Sequence, residues 1–385
     1  MDDSEDFNKE NTNLSIFVNN EGKVLQNRTP LKELRDNVKW SWACRIINAG
    51  DNYLVDTNIM NLTPNVGDIA LFGIEELGYH KSLVISNNKR SRLYEGDIYV
   101  GVFGNRYASQ HLEAEVENTV NLSMLTASGM AGTVKSKHKD FGKTTNLSFR
   151  GFLTFDNGQR VNLKTLRSNE LVSYSSGFSL NSYSKDAIKK HLLVVVGTGM
   201  NSGKTTIASK LIKGLSKMGI KVAACKLTGS VSNRDMDEML SASATTFVDF
   251  SDYGFPSTYL CSKEELLDLF NTMMIYLEKT NPDIIIMEIA DGILQRETAM
   301  LLEEESIKSL IKWIIVTAES PLSALYAVER LSKVGYIILS VSGTMTSSPL
   351  FIKEFQKNSK IKVTSSANFN DQLIDILKNL IECKV

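Results

Sequence analysis

Cysteine is scarce. Cys44, Cys225, Cys261 and Cys383 are the only four in 385 residues. No two fall in a CxxC spacing, which excludes a zinc site or a disulfide framework of the familiar kinds. A reduced, cytoplasmic setting is the simplest reading of such usage. Histidine is equally sparse, with four dispersed residues. Net charge is also missing: 43 Lys and Arg stand against 44 Asp and Glu, for a formal charge of -1. No global positive field advertises nucleic acid, and nucleic acid is not an expected partner. No apolar run approaches the roughly 18 residues of a membrane span, so no membrane association is expected. The opening "MDDSEDFNKENTN" is acidic and polar. It does not have the basic start and apolar core of a signal peptide, and residues 1–13 are expected to form a flexible tail. The length suffices for two domains with sizeable cores.

What is present divides into two styles. From 14 to 170 the chain reads as short strands between turns rich in Gly, Asn and Asp. "NLSIFVNNEGKVLQN" has the pattern of a hairpin, and "FRGFLTFDNGQRVNL" is a second one turning at Asp156-Asn157-Gly158. The expectation is a β-rich, barrel-like N-terminal domain, with room for a helix between Gln110 and Gly132. Residues 171–190 are rich in Ser and Asn and read as a linker. From 191 to 385, buried-type strands such as "LLVVV", "DIIIME" and "WIIVTA" alternate with amphipathic stretches. That alternation predicts an α/β domain with a parallel sheet covered on both faces.

The chemistry concentrates in the second half. "GTGMNSGKTT" runs from Gly197 to Thr206 between a hydrophobic strand and a helical stretch. The strict phosphate-loop pattern is Gly, four residues, Gly-Lys-Ser/Thr. Counting back from Gly203, its first glycine is replaced by Thr198. The physical requirements are nonetheless met. Gly197, Thr198, Gly199, Met200, Asn201, Ser202 and Gly203 supply a turn whose backbone N–H groups can converge on phosphate oxygens. The helix that follows points its positive end at the same place. Lys204 can reach the outer phosphates, and Thr205, followed by Thr206, can offer a hydroxyl to Mg²⁺. ATP and Mg²⁺ are the expected cofactors of this P-loop NTPase domain.

Three further segments complete the expectation. "DIIIMEIADGILQRET" ends a strand in Glu288, with Asp291 in the following turn; acids there can hold Mg²⁺ or orient a nucleophile. Arg296, in the same segment, is a candidate clamp for an anionic substrate. "VAACKLTGS" places Lys226 just past a strand, where it can neutralise a transferring phosphate. Asp235 and Asp237 read as acids at the next helix start, where they also serve as caps. The "GFPSTY" loop can cover a substrate or merely connect. "SVSGTMTSSPL", with Ser342 and Gly343, is a candidate base-binding loop; it has no Asn-Lys-x-Asp guanine signature, which favours ATP over GTP. In the front half, Asn105, Arg106 and Tyr107 follow a strand, and an Arg beside an aromatic can bind an anion or stack on a base. "KSKHKDFGK" is a local basic patch.

In the order and spacing of these motifs, residues 190–385 resemble dethiobiotin synthetase and its relatives. Gly197-Thr198 open the loop at the family's distance from Lys204. Lys226 matches a lysine after the second strand, and Glu288 with Gly292 matches a Mg²⁺-binding glutamate followed by glycine. The resemblance implies ATP-driven phosphorylation of an acid or carbamate, followed by ring closure or ligation. It also implies a homodimer, since relatives of this branch commonly pair across their nucleotide sites. Two departures stand out: Glu288-Ile-Ala-Asp-Gly replaces Glu-Gly-Ala-Gly-Gly, and Leu227 follows Lys226 where the family has Pro. The whole chain is also similar to a group of bacterial proteins with a barrel-like front and a P-loop back, sharing "GTxMNSGKTT", "ExADGxLQRET" and "HPSTY"-like segments, with Phe255 here at the His position. Three functions remain open: an enzyme acting on a small acid, a nucleotide-dependent switch whose β domain binds a protein, and a nucleic-acid-associated NTPase.

Overall fold

The computed structural model describes residues 28–47, 52–57, 63–168, 192–311, 313–365 and 377. The expected tail, the first hairpin, the linker at 171–190 and most of the last amphipathic stretch lie outside the described residues.

The front half contains β1 (Arg28–Pro30), β2 (Val38–Trp40), β3 (Leu54–Asp56), β4 (Ile69–Glu76), β5 (Ser82–Val84), β6 (Arg90–Arg92), β7 (Ile98–Phe103), β8 (Arg106–Tyr107), β9 (Leu112–Glu115), β10 (Leu122–Met124), β11 (Met130–Lys137) and β12 (Asn146–Thr154), followed by a short helix α1 (Leu163–Arg167). The front half is β-rich as expected: the pairing gives a mixed ten-stranded sheet ordered β1-β3-β12-β4-β7-β11-β9-β8. Strand β10 joins both β11 and β12, and β2 lies parallel to β7. β5 and β6 form a separate two-stranded ribbon. The helix allowed for between Gln110 and Gly132 is not formed. Leu112 and Ala114 are buried while Glu113 and Glu115 are not, and this period of two selects the strand β9. The Asp156-Asn157-Gly158 turn is present: Gly158 has φ of 82°, and its N–H donates to the Phe155 carbonyl at 2.8 Å.

The back half contains β13 (Leu192–Gly197), α2 (Lys204–Lys217), β14 (Val222–Lys226), α3 (Asn233–Ser241), β15 (Thr246–Asp249), α4 (Lys263–Lys279), β16 (Ile284–Glu288), α5 (Arg296–Glu303), α6 (Glu305–Lys308), β17 (Trp313–Thr317), α7 (Pro321–Val334), β18 (Ile337–Ser342) and α8 (Pro349–Asn358). Its six strands are all parallel, in the order β15-β14-β16-β13-β17-β18. β13, β16 and β17 are buried along their whole length, as strands covered on both faces must be. Successive residues of β13 serve opposite cores. Val194 and Val196 pack with α4, α5 and α7, whereas Leu193 and Val195 pack with α2, α3 and the buried Leu377.

The front half sits over the carboxyl-terminal edge of this parallel sheet. Val231, just after β14, packs into the front half's core. Polar bonds surround that contact: Asn88 to Asp237 at 2.7 Å, Tyr259 to Glu113 at 2.8 Å and Lys164 to Glu265 at 2.5 Å. The most enclosed is Arg45. Its guanidinium lies over the Trp42 ring and donates to Asp252 at 2.5 Å and Ser251 Oγ at 3.0 Å, with Asp249 at 3.8 Å.

Burial pushes the Asp249 carboxyl up to about 6; Asp252 adds to this and Arg45 opposes it. A carboxyl raised in the fold holds its proton more tightly folded than unfolded. Its contribution to stability is therefore complete below about pH 4 and is lost as pH rises through about 6. Arg45 attracts Asp249 only once that carboxylate is charged. Arg45→Ala is accordingly expected to cost about 2 kcal/mol of unfolding free energy at pH 7.5 and clearly less at pH 4.5. Denaturant unfolding at the two pH values measures it, and an equal cost at both would exclude a contribution from Asp249, leaving Asp252 as the partner of Arg45.

Candidate nucleotide site between the two halves

The loop that follows β13 is built around two glycines. A Cβ on Gly197 would lie 2.2 Å from Ser202 Oγ. Gly203 has φ of 102°, and a Cβ there would lie 3.2 Å from the Gly343 Cα. Between them the Ser202 hydroxyl donates to the Gly199 carbonyl at 2.9 Å and meets Thr317 Oγ1 at 2.8 Å, which closes the loop on itself. Thr198, at the position of the missing glycine, ties its N–H to the Thr317 carbonyl at 2.9 Å and has a buried hydroxyl without a partner. Gly203 caps α2 with no side-chain cap, so the first amides of that helix face the loop unshielded by a capping group. Lys204 is buried and folds back to donate to the Gly199 carbonyl at 2.8 Å. Burial lowers its pKa, against the pull of Glu288 and Asp291.

Behind the loop lies a cluster of buried charge. The register of β14 and β16 sets Lys226 opposite Glu288. The Lys226 ammonium is 2.9 Å from Asp235 and 3.7 Å from Glu288. The Thr205 hydroxyl is 3.2 Å from Glu288 Oε1 and 3.4 Å from Asp235 Oδ1. Burial works against the charge on Lys226, but Asp235 and Glu288 outweigh it and raise its pKa. Glu288 is only 1% exposed; burial raises its pKa, with Lys226 opposing. Its Oε2 has no hydrogen-bond partner.

These groups open into a cavity of about 480 Å³ whose opposite wall belongs to the front half. From the back half come Met200, Asn201, Gly203, Lys204, Thr205 and Thr206, with Lys226, Asp235, Glu288, Asp291 and Thr344. From the front half come His80, Arg106, Tyr107, His111 and Ser128. Asn201, at the loop tip, donates to Gln110 of the front half. The volume is in the range of small-molecule sites.

Placement of the expected residues is uneven. Gly197, Thr198, Gly199 and Ser202 frame the loop and do not line the cavity. Ser342 and Gly343 lie beneath it. Ser342 is fully buried and gives its hydroxyl to the Thr364 carbonyl at 2.6 Å, while Thr344, just after Gly343, donates its N–H to the Ser202 carbonyl at 3.1 Å. This segment braces the loop; it does not present Ser342 to the cavity. Asp291 is in the cavity wall, but the hydroxyl of Thr205 meets Asp235 and Glu288 instead. Arg296 departs most clearly. It opens α5, pairs with the buried Glu297 and the Cys261 carbonyl, leaves 49% of its side chain exposed and is not in the cavity. Asp235 sits in the first turn of α3, as expected of an acid at a helix start, behind the Ser232 cap, and nothing local marks it as a partner of Lys226. The "GFPSTY" loop packs on the Lys226 loop, where Thr258 and Gly229 exchange bonds at 2.9 and 3.0 Å. In the basic patch, Lys135 and Lys143 are paired with Glu117 and Glu76, which removes part of its charge from any polyanion.

A central strand, a glycine turn and an uncapped helix at the carboxyl edge of a six-stranded parallel sheet make the back half a P-loop NTPase-like fold. Solved structures similar to the chain include the signal recognition particle receptor FtsY from Elizabethkingia anophelis in complex with GDP, at 14% identity over 50% of this chain and 64% of that one, TM-score 0.34. The hydrogenase maturation factor HypB from Archaeoglobus fulgidus matches at 13% identity over 53% and 97%, TM-score 0.35. The kinase domain of the Escherichia coli tyrosine kinase ETK matches at 14% over 48% and 76%, TM-score 0.29. The chain thus spans under two thirds of the FtsY chain. No family model matches it, and no curated protein does.

The brace under the loop gives a direct test. A Cβ on Gly343 would lie 2.2 Å from the Ser202 carbonyl oxygen, and its φ of 95° disfavours any side chain. Gly343→Ala is expected to shift the loop and weaken nucleotide binding by about 10-fold or more, with a stability loss of about 1–2 kcal/mol. Fluorescent-nucleotide titration and thermal unfolding read the two effects.

Proposed function

We propose that the protein is an ATP- and Mg²⁺-dependent enzyme that phosphorylates or ligates a small acidic substrate. The observation that carries this reading is the shared cavity. A phosphate loop with its lysine forms one wall, a carboxylate and hydroxyl cluster forms the floor, and a second, polar wall comes from the front half. Such a space accommodates a nucleotide's phosphates and a second molecule beside them.

Mg²⁺ suits the oxygen donors on the floor. Thr205, Glu288 and Asp235 are hard ligands, and the unpartnered Glu288 Oε2 is a buried acceptor awaiting a positive group. Among the described residues no cluster of three His, Cys, Asp or Glu forms a metal cage. Mg²⁺ at nucleotide sites typically relies on one or two carboxylates plus phosphates. When bound, it would neutralise charge between the outer phosphates. The chain's own groups would do the rest. Lys204, released from the Gly199 carbonyl, would follow the outer phosphates. Lys226 would hold Glu288 and Asp235 in place and add positive potential near the transferring group. The loop amides would fix the phosphate chain. In the reaction the acid's oxygen bonds to the γ-phosphorus while the bond to the bridging oxygen breaks, its electrons leaving with ADP. Catalysis of this kind is mostly positioning and electrostatics.

One observation favours a second reading, a nucleotide-dependent switch. The Asn201–Gln110 bond ties the phosphate loop directly to the front half, so a nucleotide that moves Asn201 would be felt there.

Turnover separates the two. ATP hydrolysis is measured alone, with a panel of small carboxylic acids, and with nucleic acid. Stimulation by an acid supports the enzyme; slow basal hydrolysis that no acid changes would sink it. Lys204→Ala is expected to weaken ATP binding by about 100-fold, or ~2.7 kcal/mol, and native affinity in that variant would overturn the P-loop reading. Glu288→Gln is expected to raise the Mg²⁺ concentration needed for half-maximal turnover by about 10–100-fold. A Mg²⁺ titration of both enzymes at saturating ATP checks this.

A further inference from the structure

With Arg296 outside the cavity, the acidic substrate of the proposed reaction is left without its expected anchor. The front half contains a buried guanidinium with two unpartnered nitrogens. Arg106, on β8, lines the cavity and is 7% exposed. Its Nη2 faces His111 Nδ1 at 3.1 Å, which makes that imidazole nitrogen the acceptor. Its Nε and Nη1 are buried and have no hydrogen-bond partner. Among the described residues it forms no ion pair within 4 Å. Buried polar groups are nearly always satisfied, and an unpaired buried cation is the costliest exception. Burial lowers its pKa to about 10, with Asp291 opposing, so it remains charged at neutral pH.

We infer that Arg106 is the anchor for a carboxylate of the second substrate, a small carboxylic acid. One N–H of Nη2 is taken by His111. The other, with either unpartnered nitrogen, completes a two-pronged edge that fits the two oxygens of a carboxylate. Arg106 shares the cavity with the phosphate loop, but its wall belongs to the front half, opposite Lys204 and Thr205. We place the carboxylate at that front-half wall, beside the phosphate cradle. Its neighbours suit a carboxylate. His80 and His111 are both kept neutral, chiefly by burial and then by Arg106 itself, so they add hydrogen bonding without a second positive charge. The "GNRYASQ" segment that bears Arg106 also bears Gln110, the residue that touches the phosphate loop.

The inference rests on the ATP-dependent reading above, and its test is built to fail separately. Malonate, succinate and glutarate are titrated calorimetrically into the full chain preloaded with ADP·Mg²⁺. At least one is expected to bind with a stoichiometry of one, and Arg106→Gln is expected to weaken it by about 10-fold or more while ADP affinity stays within about 2-fold. Arg106→Lys, which keeps the buried charge, is expected to fall between, with a melting temperature near that of the parent. Acid binding untouched by Arg106→Gln, or no binding of any acid, would overturn the anchor. So would a large loss of ADP affinity, which would assign Arg106 to the nucleotide's phosphates. Inorganic phosphate is the control arm: binding of phosphate alone, with no dicarboxylate, would overturn the carboxylate assignment. Lys204→Ala without nucleotide is expected to retain the acid. If the parent chain binds no nucleotide, the enzymatic reading fails, while the acid titration still decides the role of Arg106.

Discussion

The buried ammonium of Lys226 is the interaction on which the rest of the site depends. Parallel register places it beside Glu288 on β16 and beside Asp249 on β15, at the carboxyl ends of three adjacent strands. Removing such a charge from water costs several kcal/mol, and only close carboxylates make the position tolerable. Asp235 supplies the nearest one and so ties the first turn of α3 to the sheet edge. Glu288, held by the same lysine, is thereby fixed opposite Thr205 in the first turn of α2. Two helix starts and two strand ends are thus locked around one positive charge. The phosphate loop lies between them, braced from below by the Gly343 segment.

That arrangement also explains why a second body covers the edge. Charges of this kind interact strongly only where water is scarce. A bare parallel sheet would leave its carboxyl edge open to solvent. The front half covers it, and its docking reuses the same chemistry. Asp249, the other register neighbour of Lys226, turns its carboxylate toward Arg45 of the front half. The interface is therefore continuous with the charge cluster of the site.

How much of this was legible in the sequence depends on the range of the interaction. The glycine turn between a buried strand and a helix, the alternation of buried strands and helices, and the strand-end placement of Lys226 and Glu288 are local patterns, and the fold has them where they were expected. So did the turn at Gly158, whose backbone conformation favours glycine. Thr198 was a tolerable replacement because its own backbone, not its side chain, makes the tie to Thr317. The misreadings were non-local. Arg296 looked like a substrate clamp because it follows an acidic motif, yet its partner is the adjacent Glu297. Asp235 looked like an ordinary acid at a helix start, and it does sit in the first turn behind the Ser232 cap, but its carboxylate meets a lysine from a neighbouring strand. Ser342 was placed in a loop that touches the nucleotide loop, on the side away from the cavity. Alternation around Leu112 was strand-like throughout, and residue types of high helix propensity such as Glu and Ala obscured it.

The charge balance of the cavity carries the argument one step further. Its more buried groups Lys204, Lys226 and Arg106 face Asp235, Glu288 and Asp291, three cations against three carboxylates, while Arg90 and Arg234 face Glu238 nearer solvent. The lining thus has a surplus of only one positive charge, far less than an electrostatic funnel for nucleic acid. A triphosphate entering such a site must either bring a cation or displace a carboxylate from its partner. Lys204 is the cation easiest to free, since its one hydrogen bond is to a backbone carbonyl. Lys226 is held by two acids and cannot leave without exposing them. Arg106 has no bond to an acid at all. The three cations therefore differ in how they are held: Lys204 by one backbone carbonyl, Lys226 by two carboxylates, and Arg106 by no acid. This division follows from their partners alone. On the proposed function, it would let one near-neutral cavity accept a nucleotide with its cation and a second anion beside it.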